Sequence, residues 1–310
     1  MAIRLLVLGA GGIGGYFGGR LAAAGVDVRF LVRPRRAAQL AETGLVIKSP
    51  LGDLTLPVKT VVEPPPSVDA VLLACKAYDL EGAMAAIAPA IGPSTCIVPL
   101  LNGVRHLDHL DARFGAERVL GGLCHIGVAL GPAGEIQHLN TLQRLALGAR
   151  THSQQDAAQA LHGLMERGGF APVLSQDILQ EMWEKFVFLT TYAGMTTLMR
   201  APVGAIVQAQ DGEALVRQML GECVATAAAS GYIPSQDAYA RMFTTLSERG
   251  STGTASMLRD LQRGGPTEHE HIIGDMLRRA HEARLDAPLL RVSLAHMQAY
   301  EATRTAHGGG

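Results

Sequence analysis

The sequence predicts an α/β protein: an N-terminal doubly wound parallel sheet followed by an all-helical C-terminal region. Three observations predict it. Short, fully apolar runs alternate with Ala-rich helical stretches over residues 1–175, the pattern of parallel strands covered on both faces. A glycine-dense stretch, "VLGAGGIGGYFGG", follows the first of those runs. From Asp177 onward the alternation stops and only helical patterns remain. A chain of 310 residues exceeds one typical core, so two domains are expected, 1–175 and 176–310.

Taken in order, "IRLLVLG" is a buried strand and opens into an Ala-rich helix. "DVRFLVR" is the second strand. A Pro-rich turn, "VEPPPSVDA", feeds the strand "AVLLACK", and "STCIVPLLNG" supplies the next. "GGLCHIGVALGPAGEIQHLN" and "LQRLALG" read as an antiparallel edge added to the sheet. Four segments then read as helices: "DILQEMWEKFVFLTTYAG", "DGEALVRQMLGECVATAAASG", "SQDAYARMFTTLSERG" and "TEHEHIIGDMLRRAHEARLD". The terminal "RTAHGGG" reads as a flexible tail.

Composition excludes several functions. A net charge of −1 gives no electrostatic case for nucleic acid or an anionic membrane. No apolar run reaches the roughly 18–20 residues of a membrane span. The N-terminus runs straight into the glycine loop without a cleavage site, so no signal peptide is expected. Cys75, Cys96, Cys124 and Cys223 are far apart and form no CxxC pair. They read as small buried residues of a cytoplasmic protein, not as disulfides or metal ligands. His125 lies on the added edge. His269 and His271 flank Glu270 but do not share a helix face, and they read as supporting or surface groups, with no metal site expected.

The glycine loop is the first chemical signal. Gly9, Gly11 and Gly14 have G-x-G-x-x-G spacing, with Gly12 between them, and they lie between a strand and a helix. In that context Gly9 permits the tight turn and Gly11 lets a pyrophosphate approach the backbone. Gly14 lets helix and strand pack closely, and the helix N-terminus supplies N–H donors. A Rossmann-type dinucleotide site is expected. At the end of the second strand, where an NAD site carries an acidic residue for the ribose, the sequence has Arg33, Pro34, Arg35 and Arg36. A guanidinium there suits a 2′-phosphate, so NADPH is expected over NADH.

Motifs along nearly the whole chain resemble the ketopantoate reductase (2-dehydropantoate 2-reductase) family. They are "GAGGIG", the "LVR" ending strand two, "CKAYD" with Lys76, and "LNGV" with Asn102. The later ones are "EMWEKF" with Lys185, "SMLRDL" with Ser256 and "GGPTEHEHIIG" with Glu268. The last three carry the specificity. The resemblance implies a Rossmann domain joined to a helical domain, an active site in the gap between them, and NADPH-dependent reduction of a small-molecule 2-oxo acid to a 2-hydroxy acid. It assigns Lys185 and Glu268 to catalysis, Ser256 to substrate binding, and Lys76 and Asn102 to orienting substrate and cofactor.

The chemistry agrees with that assignment. Hydride delivery builds charge on the carbonyl oxygen, and a positioned acid neutralises it. Apolar neighbours around Lys185 are expected to desolvate its ammonium and make it a better donor, with Glu268 holding that ammonium or a substrate hydroxyl. Outside this context a lysine on such a helix is ordinarily a snorkelling surface group, and Asn102-Gly103 an ordinary turn pair.

The sequence also departs from the family. Members that reduce ketopantoate resemble one another in K-x-x-x-N-x-x-x-N, which places a lysine and two amides on one helix face. Here the two amide positions are Leu189 and Ala193, and two further family asparagines correspond to Val203 and Gly253. Recognition of a small polar substrate is weakened accordingly, and a bulkier or less polar carbonyl is expected, with Arg200 as a replacement carboxylate anchor. Two other readings are a β-hydroxyacid or opine-type dehydrogenase and a non-catalytic NADPH-binding sensor. The long C-terminal helices could support a homodimer.

Overall fold

The computed structural model describes residues 3–307. The first part of the chain runs β1 (Arg4–Leu8), α1 (Gly12–Ala23), β2 (Asp27–Leu31), α2 (Pro34–Thr43), β3 (Leu45–Lys48), β4 (Leu54–Leu56), β5 (Lys59–Val61), β6 (Ala70–Leu73) and α3 (Leu80–Ile87). It continues through β7 (Cys96–Pro99), α4 (Arg105–Phe114), β8 (Gly121–Leu130), β9 (Ile136–Gly148), α5 (Gln155–Glu166) and β10 (Val173–Leu174). Strands β5-β2-β1-β6-β7 form one parallel sheet in that order. All four residues of β6 are buried, as a strand covered on both faces requires. The sheet grows outward from β1 in both directions, to β2 on one side and β6 on the other. The loops leaving β1 and β6 therefore lie side by side at a topological switch point, where open α/β sheets bind ligands. That order carries the glycine loop and Lys76 to neighbouring strand ends.

The antiparallel segment departs from expectation. β8 and β9 pair antiparallel from Gly121↔Gly148 to Leu130↔Ile136, but they do not extend the parallel sheet as an edge. They belong to a second sheet ordered β10-β9-β3-β4, with β8 on β9. The short strands β3, β4 and β5 carry no strong sequence signal. β3 is recruited by pairing parallel to β9 through Ile47↔Ile136, a contact distant along the chain.

The second part is helical: α6 (Ile178–Met199), α7 (Val203–Gln208), α8 (Gly212–Ala229), α9 (Gln236–Leu246), α10 (Ser256–Gln262), α11 (Asp275–Glu282) and α12 (Pro288–His307). Contacts divide the chain into Met1–Leu101 with His106–Leu179, and Asn102–Arg105 with Gln180–Gly310. The short Asn102–Arg105 segment thus clusters with the helices. Ser235 caps α9 by accepting from the Ala238 N–H at 3.1 Å. The segment expected as one helix from "TEHEH" instead begins with a π-turn at Glu270–Gly274 before α11. "RTAH" is helical as the end of α12 and not the expected flexible tail; the rest of that segment, Gly308–Gly310, lies outside the described residues.

α6 is held from behind by aromatic and ionic packing. Trp183 stacks on Tyr232 with centroids 5.1 Å apart and meets Phe186 edge-on at 5.6 Å. The Arg279 guanidinium lies 5.2 Å from the Trp183 ring. Arg279 donates through Nε to Asp275 Oδ2 at 2.9 Å, and Asp275 is fully buried. Removing one partner of such a pair strands charge in the interior. Asp275→Ala should cost about 3 kcal/mol, read as a lower urea midpoint at unchanged slope.

Candidate active site

The glycine loop folds as its spacing requires. Gly9 has φ +88°, the left-handed region that lets the chain turn from β1 into α1. A Cβ at Gly9 or Gly11 would meet nothing within 4 Å, so the loop backbone is open to a ligand. No side chain caps the N-terminus of α1, which leaves that end suited to an anion. These features fit a dinucleotide pyrophosphate. Gly12 has a different role: a Cβ there would press on Val128 Cγ2 at 3.0 Å, so its small size serves packing against β8. Arg33 sits just before α2 with its side chain 87 % exposed, 3.5 Å from Asp79 Oδ1, within reach of a ligand beyond β2. Arg36 turns inward and donates to the Ala10 carbonyl at 2.9 Å, bracing the loop. Lys76 precedes the short 3₁₀ turn Ala77–Asp79 after β6.

The helical unit holds the remaining candidates. Lys185 donates through Nζ to Asn102 Oδ1 at 3.0 Å. Lys185 is half-buried, not enclosed by its apolar neighbours as expected. Trp183, Phe186 and Val187 point into the core instead, because residues one or two places away on a helix occupy other faces. Asn102 is placed by Gly103, whose φ is +79° and whose Cβ position lies 3.1 Å from His271 Cδ2. The Asn-Gly pair is therefore a turn that sets the amide against Lys185.

Asn102 also lines a pocket whose other polar walls are Ser256, Asp260 and Glu268. Its remaining walls are Leu189, Ala193, Ala255, Met257 and Ile272. Ser256 and Asp260 reach it together because they stand one turn apart on α10. That spacing would have flagged Asp260, which the sequence reading passed over.

Glu268 precedes the π-turn and is 9 % exposed. Its neighbour Thr267 is tied down by α12: both its N–H and its hydroxyl donate to Glu301 Oε1, at 2.9 and 3.0 Å. The hydroxyl hydrogen being so used, His269 Nδ1, 2.9 Å from Thr267 Oγ1, supplies the hydrogen of that contact. Burial alone would raise the Glu301 carboxyl, but the Arg304 and Thr267 hydrogen bonds outweigh it and hold it below the usual range. This contribution is present at neutral pH and is lost as pH falls through the lowered value. His269 and His271 are buried, which fits the supporting placement and not the surface one of the two expected for them.

Three expected positions do not line the pocket. Arg200 follows α6 in a left-handed turn with φ +50°, is exposed, and is not among the walls of this pocket. Val203 and Gly253 pair with each other instead, the Val203 N–H donating to the Gly253 carbonyl at 3.1 Å. Among the cysteines, Cys124 and Cys223 are buried and Cys75 and Cys96 only half so. Burial pushes the Cys223 thiol up to about 12.

The profile of the ketopantoate reductase PanE/ApbA family matches residues 5–152, and that of the family's C-terminal domain matches 177–301. The chain belongs to the ketopantoate reductase family. An uncharacterized oxidoreductase of Bacillus subtilis, YkpB, is 36 % identical over 304 residues, covering 97 % of this chain and 100 % of that protein. A 2-dehydropantoate 2-reductase from Nostoc is 27 % identical over 293 residues, covering 92 % and 91 %. The crystal structure of 2-dehydropantoate 2-reductase from Geobacter metallireducens superposes with a TM-score of 0.87 at 28 % identity, covering 96 % and 99 %. D-mandelate dehydrogenase bound to NADH and anilino(oxo)acetate superposes equally well, at 0.87, but at 20 % identity shares the fold alone. This ketopantoate reductase family member is accordingly a nicotinamide-dependent oxidoreductase acting at a CH–OH centre. Leu189 and Ala193 stand one and two turns after Lys185 on α6 and line the pocket.

Proposed function

We propose that the protein reduces a 2-oxo acid to the 2-hydroxy acid with NADPH, and that Lys185 is the proton donor. The observation that carries this is the hydrogen bond from Lys185 to Asn102, a residue that lines one pocket with Ser256 and Glu268. When bound, the reduced nicotinamide supplies a hydride to the carbonyl carbon. Lys185 gives its proton to the oxygen as negative charge develops there, and regains one from water. Asn102 fixes the ammonium by accepting one of its hydrogens. Ser256 donates to the substrate carboxylate, and Glu268 holds the hydroxyl once it forms. Lys76, after β6, orients the cofactor and the substrate head. Positioned acid catalysis of this kind is worth about 10²–10⁴-fold.

NADPH selectivity rests on Arg33, whose exposed guanidinium suits a 2′-phosphate. Wild-type Michaelis constants for NADPH and NADH test the preference; equal values refute it. Arg33→Ala should raise the constant for NADPH by about 10- to 100-fold, from loss of a charged hydrogen bond, and barely move that for NADH. A purified-protein screen of 2-oxo acids with NADPH tests the reaction. Cofactor binding without turnover of any carbonyl would favour a sensor.

A further inference from the structure

The pocket in the helical unit sets apolar walls, Leu189, Ala193, Ala255, Met257 and Ile272, beside its polar residues. Leu189 and Ala193 follow Lys185 at one-turn intervals on α6, and both line it. Such residues stack on one helix face about 5–6 Å apart. Met257 and Ile272 are apolar lining residues beside Ser256 and beyond Glu268. We infer that the substrate is a 2-oxo acid whose side chain is all hydrocarbon, branched or aromatic, with no hydroxyl. This rests on the reduction proposed above and specifies its substrate.

The head of a 2-oxo acid occupies the donors already named: Lys185 for the ketone, Ser256 for the carboxylate. A side chain leaving the ketone along α6 passes Leu189 and then Ala193. A hydroxyl carried there loses its water and faces carbon, and an unpaired buried hydroxyl is disfavoured. A methyl or ring in the same place buries apolar surface.

The test uses two substrates of one shape: ketopantoate, and its isostere with methyl in place of the terminal hydroxyl. With saturating NADPH, kcat/KM should favour the isostere by about tenfold or more. Leu189→Asn should shift that ratio toward ketopantoate by about tenfold, with NADPH affinity reporting that the variant is folded. Equal or better use of ketopantoate by the wild type overturns the inference, with Asp260 then the natural partner of the hydroxyl, and leaves the proposed reaction standing. Failure to reduce either compound or any other 2-oxo acid overturns both. The wild-type ratio decides the matter even if the variant does not fold.

Discussion

Lys185→Ala should lower kcat by about 10²–10⁴-fold and leave NADPH affinity intact. The reason lies in where the ammonium stands. It is half-buried, hydrogen-bonded to Asn102 at 3.0 Å, and carried on a helix whose opposite side is anchored by Trp183 and Phe186. Truncation removes the proton source without disturbing that anchor. Lys185→Arg should be nearly as slow as the alanine variant, because a guanidinium keeps the charge but does not release a proton. Steady-state NADPH oxidation with a 2-oxo acid, beside fluorescence titration of NADPH, separates the two effects. Equal losses in turnover and cofactor binding would point to a structural role.

Gly14→Val should cost about 3 kcal/mol or more and abolish NADPH binding. A Cβ at Gly14 would collide with the Gly9 carbonyl oxygen and press on Val7 Cγ1 at 3.2 Å and Ala74 Cβ at 3.3 Å. The obstacle is main chain, so no rotamer change relieves it. The turn from β1 into α1 must open or α1 must lift from the sheet. Urea denaturation and NADPH titration check both consequences, and a variant with wild-type midpoint and affinity would refute this account of the loop.

Where the candidate-site residues fall in the fold was largely legible in the sequence, because they follow strong local signals. The glycine spacing after β1, Lys76 after β6 and Asn102 after β7 are all fixed by where buried strands end. Lys185 and Leu189 could be assigned to one face by helical spacing alone. What the sequence concealed depends on long-range pairing or local irregularity. β3 and β4 are three or four residues long and owe their sheet to β9, so no local pattern announced them. Glu268 was placed by its motif, but the π-turn after it and the Thr267–Glu301 tether are tertiary features. Arg200 was singled out by its charge, but the left-handed turn that leaves it exposed is not visible in the local sequence. The backbone hydrogen bond between Val203 and Gly253 is likewise visible only in three dimensions.

The central claim is that the Lys185 amine delivers the proton in carbonyl reduction. Chemical rescue tests it most directly: single-turnover NADPH oxidation by Lys185→Ala with a 2-oxo acid, measured as small primary alkylammonium ions are added. The account predicts slow oxidation without amine and a saturable, amine-dependent recovery that sodium chloride at equal ionic strength does not reproduce. Oxidation at the wild-type rate with no amine present would contradict it.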